Sequence, residues 1–288
     1  MKHLGVDTAA RISAAQAQIL RYNGVSFVGR YLVPQTMSKA LTEKETKALR
    51  DNKIAILLCW ELEENAVRQG AERGATDGKR ARECAEALGV PAGTTIYFAC
   101  DYNIPQADLI IAEQYVKAAQ AALGGVYEAG MYGPFALVDF LSSRGSCRKF
   151  WQCVAWSPRF LPEAQTWQYQ WQGSPEAKAM AEKVGFDVDM DTCDDLRGAG
   201  LWMPYNEYAD GDGTVIEPTK PTKEPWYAEQ MKWAEDAGLM MDGRPNDKIT
   251  RAEAATLLKR YDARVKKMID EAIKLRMSED DSFGGLIN

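Results

Sequence analysis

The sequence predicts an α/β fold: a (β/α)8 barrel of the TIM type, followed by a small all-α C-terminal domain. Three observations predict it. Strand-like apolar runs recur eight times in the first two hundred residues, with helix-like segments between most of them. Several of these runs end in a carboxylate, which is costly to bury and is accommodated at the mouth of a barrel. From about Met203 the chain turns to polar turns and repeated Thr-Lys-Pro, the composition of an extended linker, before helical periodicity resumes.

The strand-like runs are 3–7, 27–33, 54–61, 94–101, 127–132, 150–156, 166–171 and 186–191. Helix-like segments fall at 13–22, 42–52, 70–88, 105–123, 134–142 and 174–184. Ser13 can cap the first, and Thr42 with Glu45 forms a capping box for the second. The fourth has Pro105 near its first turn and stops before Gly124-Gly125. The stretch SPRFLPEAQ, between the sixth and seventh strands, is too short and too rich in proline for a full helix. A doubly wound sheet is the alternative, but no GxGxxG follows the first strand and no Walker loop is present.

This reading gives a barrel over 1–202, a linker over 203–224, a helical module over 225–277 and a frayed tail over 278–288. DGDG in the linker lacks the downstream Glu of a calcium loop and reads as a turn. In the module, Thr250 and Glu253 form another capping box. Ala254, Leu258, Tyr261, Val265, Met268, Ala272 and Leu275 then follow at alternating spacings of four and three. That seam packs the helix on its own small domain or joins it to a second copy in a homo-oligomer.

Composition narrows the function. With 288 residues and a net charge of -6, nucleic acid and anionic membrane surfaces are poor partners. No apolar run approaches the ~20 residues of a membrane span. The N-terminus has no apolar signal core, so the chain is expected to be made in the cytoplasm without a signal peptide. Six cysteines form no CxxC pair, and the three inside strand-like apolar runs, Cys59, Cys100 and Cys153, read as small buried hydrophobes. The single histidine, His3, opens the first strand at the wrong end for a barrel site, which argues against zinc and against Ser-His or Cys-His nucleophiles. No metal and no cofactor are expected.

Side chains alternate along a strand, so one register gathers Asp7, Glu61, Asp101, Asn103, Asp189 and Asp191 around one opening. Arg30, Tyr31, Trp60, Tyr102, Tyr132, Trp156, Tyr169 and Trp171 are expected beside them as substrate-binding residues. Flat aromatic faces stack on sugar rings, and carboxylates bind hydroxyls and move protons. Glycoside hydrolysis needs one carboxyl group kept protonated and a second one charged. Glu61, closing an apolar strand beside Trp60, is the favoured acid, and Asp101 is the alternative. Each acid also has an ordinary reading, as a helix cap or a partner of Arg30.

GVD, FVGRYL, YFACDYN, a Trp at the sixth strand end, WQY and VDMD stand in order along the eight strands. Together they resemble the glycoside hydrolase-like group called domain of unknown function 1906, a relative of the glycoside hydrolase family 25 lysozymes. The resemblance covers roughly residues 1–200. It implies a (β/α)8 barrel that cuts or binds bacterial cell-wall glycan (peptidoglycan). Asp7, Asp101 and Asp189 match acids of those lysozymes. Their fourth strand ends in Asp-x-Glu, whereas this chain has Asp101-Tyr102-Asn103, and asparagine donates no carboxylic proton. Residues 225–261 resemble an S-layer homology repeat, with Thr-Arg-Ala-Glu as the most specific part. That likeness implies that Arg251 is available to an anionic secondary cell-wall polymer, the ordinary reading being a solvated helix start. The combination resembles a phage endolysin, acting at the wall after release from the cytoplasm. The rival from another class is a non-catalytic glycan-binding barrel, and Asn103 is its best support.

Overall fold

The computed structural model describes residues 2–204 and closes eight strands, in chain order, into a barrel. β1 (His3–Asp7), β2 (Val25–Tyr31), β3 (Ala55–Trp60), β4 (Thr95–Ala99), β5 (Glu128–Gly133), β6 (Phe150–Gln152) and β7 (Thr166–Gln170) run parallel. The helices are α1 (Ala14–Tyr22), α2 (Glu43–Asp51), α3 (Gly70–Ala87), α4 (Leu109–Ala122), α5 (Phe135–Ser143) and α6 (Pro175–Val184). As expected, no helix separates β6 from β7. The linker from residue 205 onward, the helical module with its seam and Arg251, and the tail lie outside the described residues.

β8 (Asp189–Cys193) departs from the expected all-parallel barrel, because it runs antiparallel to both β1 and β7. A two-residue period carries no information about strand direction. Asp189 therefore opens its strand rather than closing it. It pairs with Asp7, so the reversal still leaves it at the mouth.

Alternation sorts the side chains. Val28, Ile56, Leu58, Ile96 and Phe98 face the helices in the main core cluster, whereas Phe27, Leu57, Tyr97 and Trp151 fill the barrel interior. Gly5 makes room for the Phe27 ring: a Cβ there would stand 2.2 Å from a ring carbon. Each fully buried Leu, Ile or Phe contributes about 1.5–3 kcal/mol relative to exposure.

The same alternation corrects three expected site residues. Arg30 is fully buried on the outer face and ion-paired to Glu45 at 2.6 Å. Trp60 packs outward in the main core cluster, with the Arg80 guanidinium over its ring. Tyr169 packs against the same cluster and donates to Glu176 at 2.9 Å. None of the three faces the barrel interior. Thr42 caps α2 by accepting from the Glu45 amide at 3.2 Å, but the Glu45 carboxylate is taken by Arg30 and by the Ile12 amide, at 3.1 Å.

α3 meets α4 through glycines. A Cβ on Gly74 would lie 2.1 Å from the Tyr115 carbonyl oxygen, and one on Gly78 2.6 Å from that of Ala119. Gly→Ala in a helix normally stabilises by roughly 0.5–1 kcal/mol. Here the obstacle is backbone, so Gly74→Ala should instead destabilise by about 1–3 kcal/mol, read from urea unfolding.

The chain after β8 closes the barrel floor. Thr95 N donates to Gly200 O at 2.8 Å, and Ile56 and Trp202 exchange bonds of 2.7 and 2.9 Å. Leu196, Ala199 and Leu201 are buried against the interior cluster. All six cysteines are free; Cys59, Cys100 and Cys153 are buried, as expected, and so are Cys147 and Cys193.

Candidate active site

With the floor filled, the strand mouths are where polar groups converge. Asp7 ends β1, Asp101 follows β4 on the inward face, and Asp189 begins β8. A cleft of about 440 Å³ opens at Asp7 and Asp189, lined also by Thr8, Tyr31 and Gln172; Asp101 is not part of its lining. A larger cleft, about 780 Å³, lies beside α2 and Trp202, and it holds none of these acids.

One glutamine ties the acids together. Gln168 Nε2 donates to Asp7 Oδ2 at 3.0 Å and to Asp189 Oδ2 at 2.9 Å. The Tyr132 hydroxyl donates to Gln168 Oε1 at 3.0 Å. Tyr132 is thus a buried support beneath the site, packed on Trp151 with ring centroids 4.4 Å apart. Asp189 Oδ1 also accepts from the Gln172 amide, which pins the turn after β7 to the mouth. Asp191 lies deeper, wholly buried, and accepts from Trp151 Nε1 at 2.8 Å. Its expected role in touching substrate is therefore corrected to a supporting one.

Burial raises the carboxyls of Asp7, Asp189 and Asp191 above the ordinary range; Asp189 adds to the effect on Asp7, and Asp7 to that on Asp191. Burial, then Glu61, Glu64 and Asp189, pushes Asp101 up to about 6, with Lys39 opposing. Its backbone amide donates to Glu64 O at 2.9 Å, fixing where the strand end stops.

Glu61 stands just past β3, but not in the apolar setting expected for it. Trp60 points away, and Lys39 Nζ lies 3.2 Å from Glu61 Oε1. Lys39 also sits over the Tyr31 ring, 4.1 Å from its centroid. The remaining expected contacts scatter along the rim. Tyr102 is half-buried, its hydroxyl donating to Asp108 at 3.3 Å. Asn103 is exposed. Trp156 is 46% exposed at a strained φ of 54°, and Trp171 is 61% exposed. The Trp171 ring folds onto Gly173, where a Cβ would meet it at 1.9 Å.

Sequence reasoning missed Lys39, Gln168 and Trp151. Lys39 sits in a loop and resembles any solvated lysine. Gln168 could have been found, since it shares the inward register of β7 while its neighbours Trp167 and Tyr169 face out.

The Rv2525c-like, glycoside hydrolase-like domain family matches residues 18–194, more than half the chain and all but the first strand of the barrel. The chain belongs to this family. Uncharacterized protein YbfG of Bacillus subtilis is 35% identical over 146 residues, 44% of this chain and 20% of that protein. The chain thus spans about a fifth of the length of this curated relative. Among solved structures, the Tat-secreted protein Rv2525c of Mycobacterium tuberculosis, crystallised with L-tartrate, has a TM-score of 0.57 at 22% identity. That likeness covers 70% of this chain and 98% of that one. An uncharacterized B. stearothermophilus protein has a TM-score of 0.52 at 20% identity, over 69% of this chain and 100% of that one. These two likenesses establish a common barrel.

Proposed function

We propose that the barrel is a glycoside hydrolase acting on bacterial cell-wall glycan, with Asp101 as its proton donor. The observation that carries this reading is Asp101 itself. It follows β4 on the inward face, among Glu61, Glu64 and Asp189, which together with burial push its carboxyl up to about 6. A carboxyl so placed keeps its proton closer to neutrality than an ordinary aspartate does, as a general acid requires. The proton passes to the glycosidic oxygen as the C–O bond breaks. Asp7 and Asp189, clamped by Gln168, face the positive charge that grows on the sugar carbon. Glu61, held by Lys39, is left to bind hydroxyls, and Trp156 and Trp171 offer exposed faces for sugar stacking.

In this reading the module at 225–277 binds the wall, through Arg251 and an anionic polymer, or assembles copies of the chain through its seam. The protein would then act at the wall after release from the cell, as an endolysin does. A second reading, glycan binding without cleavage, is favoured by Asn103. It is exposed where the lysozymes carry their glutamate.

The test is the release of reducing ends from purified Gram-positive peptidoglycan as a function of pH. The donor must be protonated, so release should fall as pH rises through about 6. Release that is level from pH 5 to 8 would remove Asp101 from that role.

A further inference from the structure

Asp191 is the most deeply buried acid of the site and the one whose hydrogen bonding is incomplete. On β8 it stands two residues below Asp189 and pairs with Gln168 of β7 on one side and Gly5 of β1 on the other. The polar groups facing it are Asp7 from β1, Asp189 from its own strand, Gln168 from β7 and Trp151 from β6. No lysine or arginine among the described residues bonds it; the cation at the mouth, Lys39, is engaged with Glu61. Oδ1 accepts from the Trp151 indole, and Oδ2 has no partner among the described residues' conventional hydrogen bonds.

A buried carboxylate oxygen without a donor, next to a second acid, is an unstable arrangement if both groups are charged. Neighbouring carboxyls resolve this by holding a proton between them. Donor supply decides where it sits. Asp7 already accepts from Gln168 and reaches the cleft. Gln168 cannot turn over: its oxygen would then face two carboxylates, and Tyr132 already fills the other side. Asp191 Oδ2 is supplied by nothing. A proton there converts a bare acceptor into a donor aimed at Asp7.

We propose that Asp191 is a positioning residue, a neutral carboxylic acid whose Oδ2 hydroxyl donates to Asp7 and, with Gln168, favours the charged form of Asp7 against its burial and keeps it aimed at the mouth. The role given to Asp7 rests on the glycosidase reading. The protonation of Asp191 does not, and it can be measured without substrate.

The experiment compares thermal unfolding of the full chain and Asp191→Asn from pH 4 to 8. Asparagine reproduces the proposed pattern, with its carbonyl toward Trp151 and its amide donating to Asp7. In the wild type the folded state keeps a proton that the unfolded chain releases above about pH 4. Stability contributed by that proton is full at low pH and lost as pH rises. The Tm of Asp191→Asn should therefore gain on that of the wild type by about 3–5 °C per pH unit across this window. A difference that does not change with pH would overturn the proposal. Infrared spectra of the wild type at pH 8 decide the matter independently, even if the variant fails to fold. A protonated carboxylic C=O band is expected, and its absence would overturn the proposal too. A barrel that binds glycan without cutting it would leave both results unchanged, while the reducing-end assay would fail.

Discussion

Asp101→Asn should lower the release of reducing ends from cell-wall glycan by about a hundred- to ten-thousandfold, the usual contribution of a positioned general acid. The variant keeps the size and shape of the side chain and loses only the transferable proton. It should fold normally and be no less stable than the wild type at pH 7. Asp101 is raised to about 6 by burial and by Glu61, Glu64 and Asp189, so its folded-state value lies above its unfolded one. Stability linked to it is present at low pH and declines as pH rises toward about 6. Removing the charge removes that decline. Glu61→Gln is the comparison. Glu61 is ion-paired to Lys39 and has no apolar pocket against Trp60, so this variant should lose about tenfold or less. Rates on one wall preparation, with circular dichroism to confirm folding, separate the two carboxyls. A larger loss in Glu61→Gln than in Asp101→Asn would reverse the assignment.

Glu45→Ala should destabilise the barrel by about 3–5 kcal/mol, because it strands a fully buried guanidinium. Arg30 Nε meets Glu45 Oε1 at 2.6 Å, with side-chain exposures of 0% and 2%. The pair also organises the walls of the cleft. Arg30 donates to the carbonyls of Thr8 and of Lys39, and Glu45 accepts from the Ile12 amide at 3.1 Å. Thr8 lines the cleft and Lys39 holds Glu61. Loss of the pair should therefore loosen the loops after β1 and β2 as well as the core. The double variant Arg30→Met with Glu45→Leu should recover most of the stability, since apolar replacement of a whole buried pair is often neutral. Urea unfolding of the single and double variants checks both statements. A cost under about 1 kcal/mol for Glu45→Ala would mean that the guanidinium finds other partners.

Much of the barrel was legible because its strands obey a two-residue period and its helices carry ordinary caps, such as Ser13 on α1 and Thr42 on α2. The positions of Asp7 and Asp101 were legible for the same reason, as strand ends that break an apolar run. The direction of β8 was not, since alternation reads the same both ways. The errors at Arg30, Trp60 and Tyr169 have a different origin. Trp60 adjoins Glu61 and Arg30 adjoins Tyr31, and adjacent residues on a strand face opposite ways; Tyr169 stands where the register of β7 against β8 shifts, between Gln168 and Gln170. For Trp60 and Arg30, proximity in sequence to a mouth residue does not survive alternation. Lys39 and Gln168 illustrate the reverse problem. Their importance comes from partners brought near by closure of the barrel, Glu61 from β3's end and Asp7 with Asp189 from β1 and β8. Neither partner is close in the chain.

The measurement that bears most directly on the account is made with the wild-type protein on purified Gram-positive peptidoglycan, scoring two quantities in one tube. One is the fraction of protein that pellets with the wall, and the other is the appearance of borohydride-reducible sugar ends in the supernatant, identified by mass spectrometry. Both are expected, with new sugar ends accumulating in proportion to time and enzyme. Protein that pellets with every wall tested and yet releases no new ends would contradict it and make the barrel a glycan-binding module.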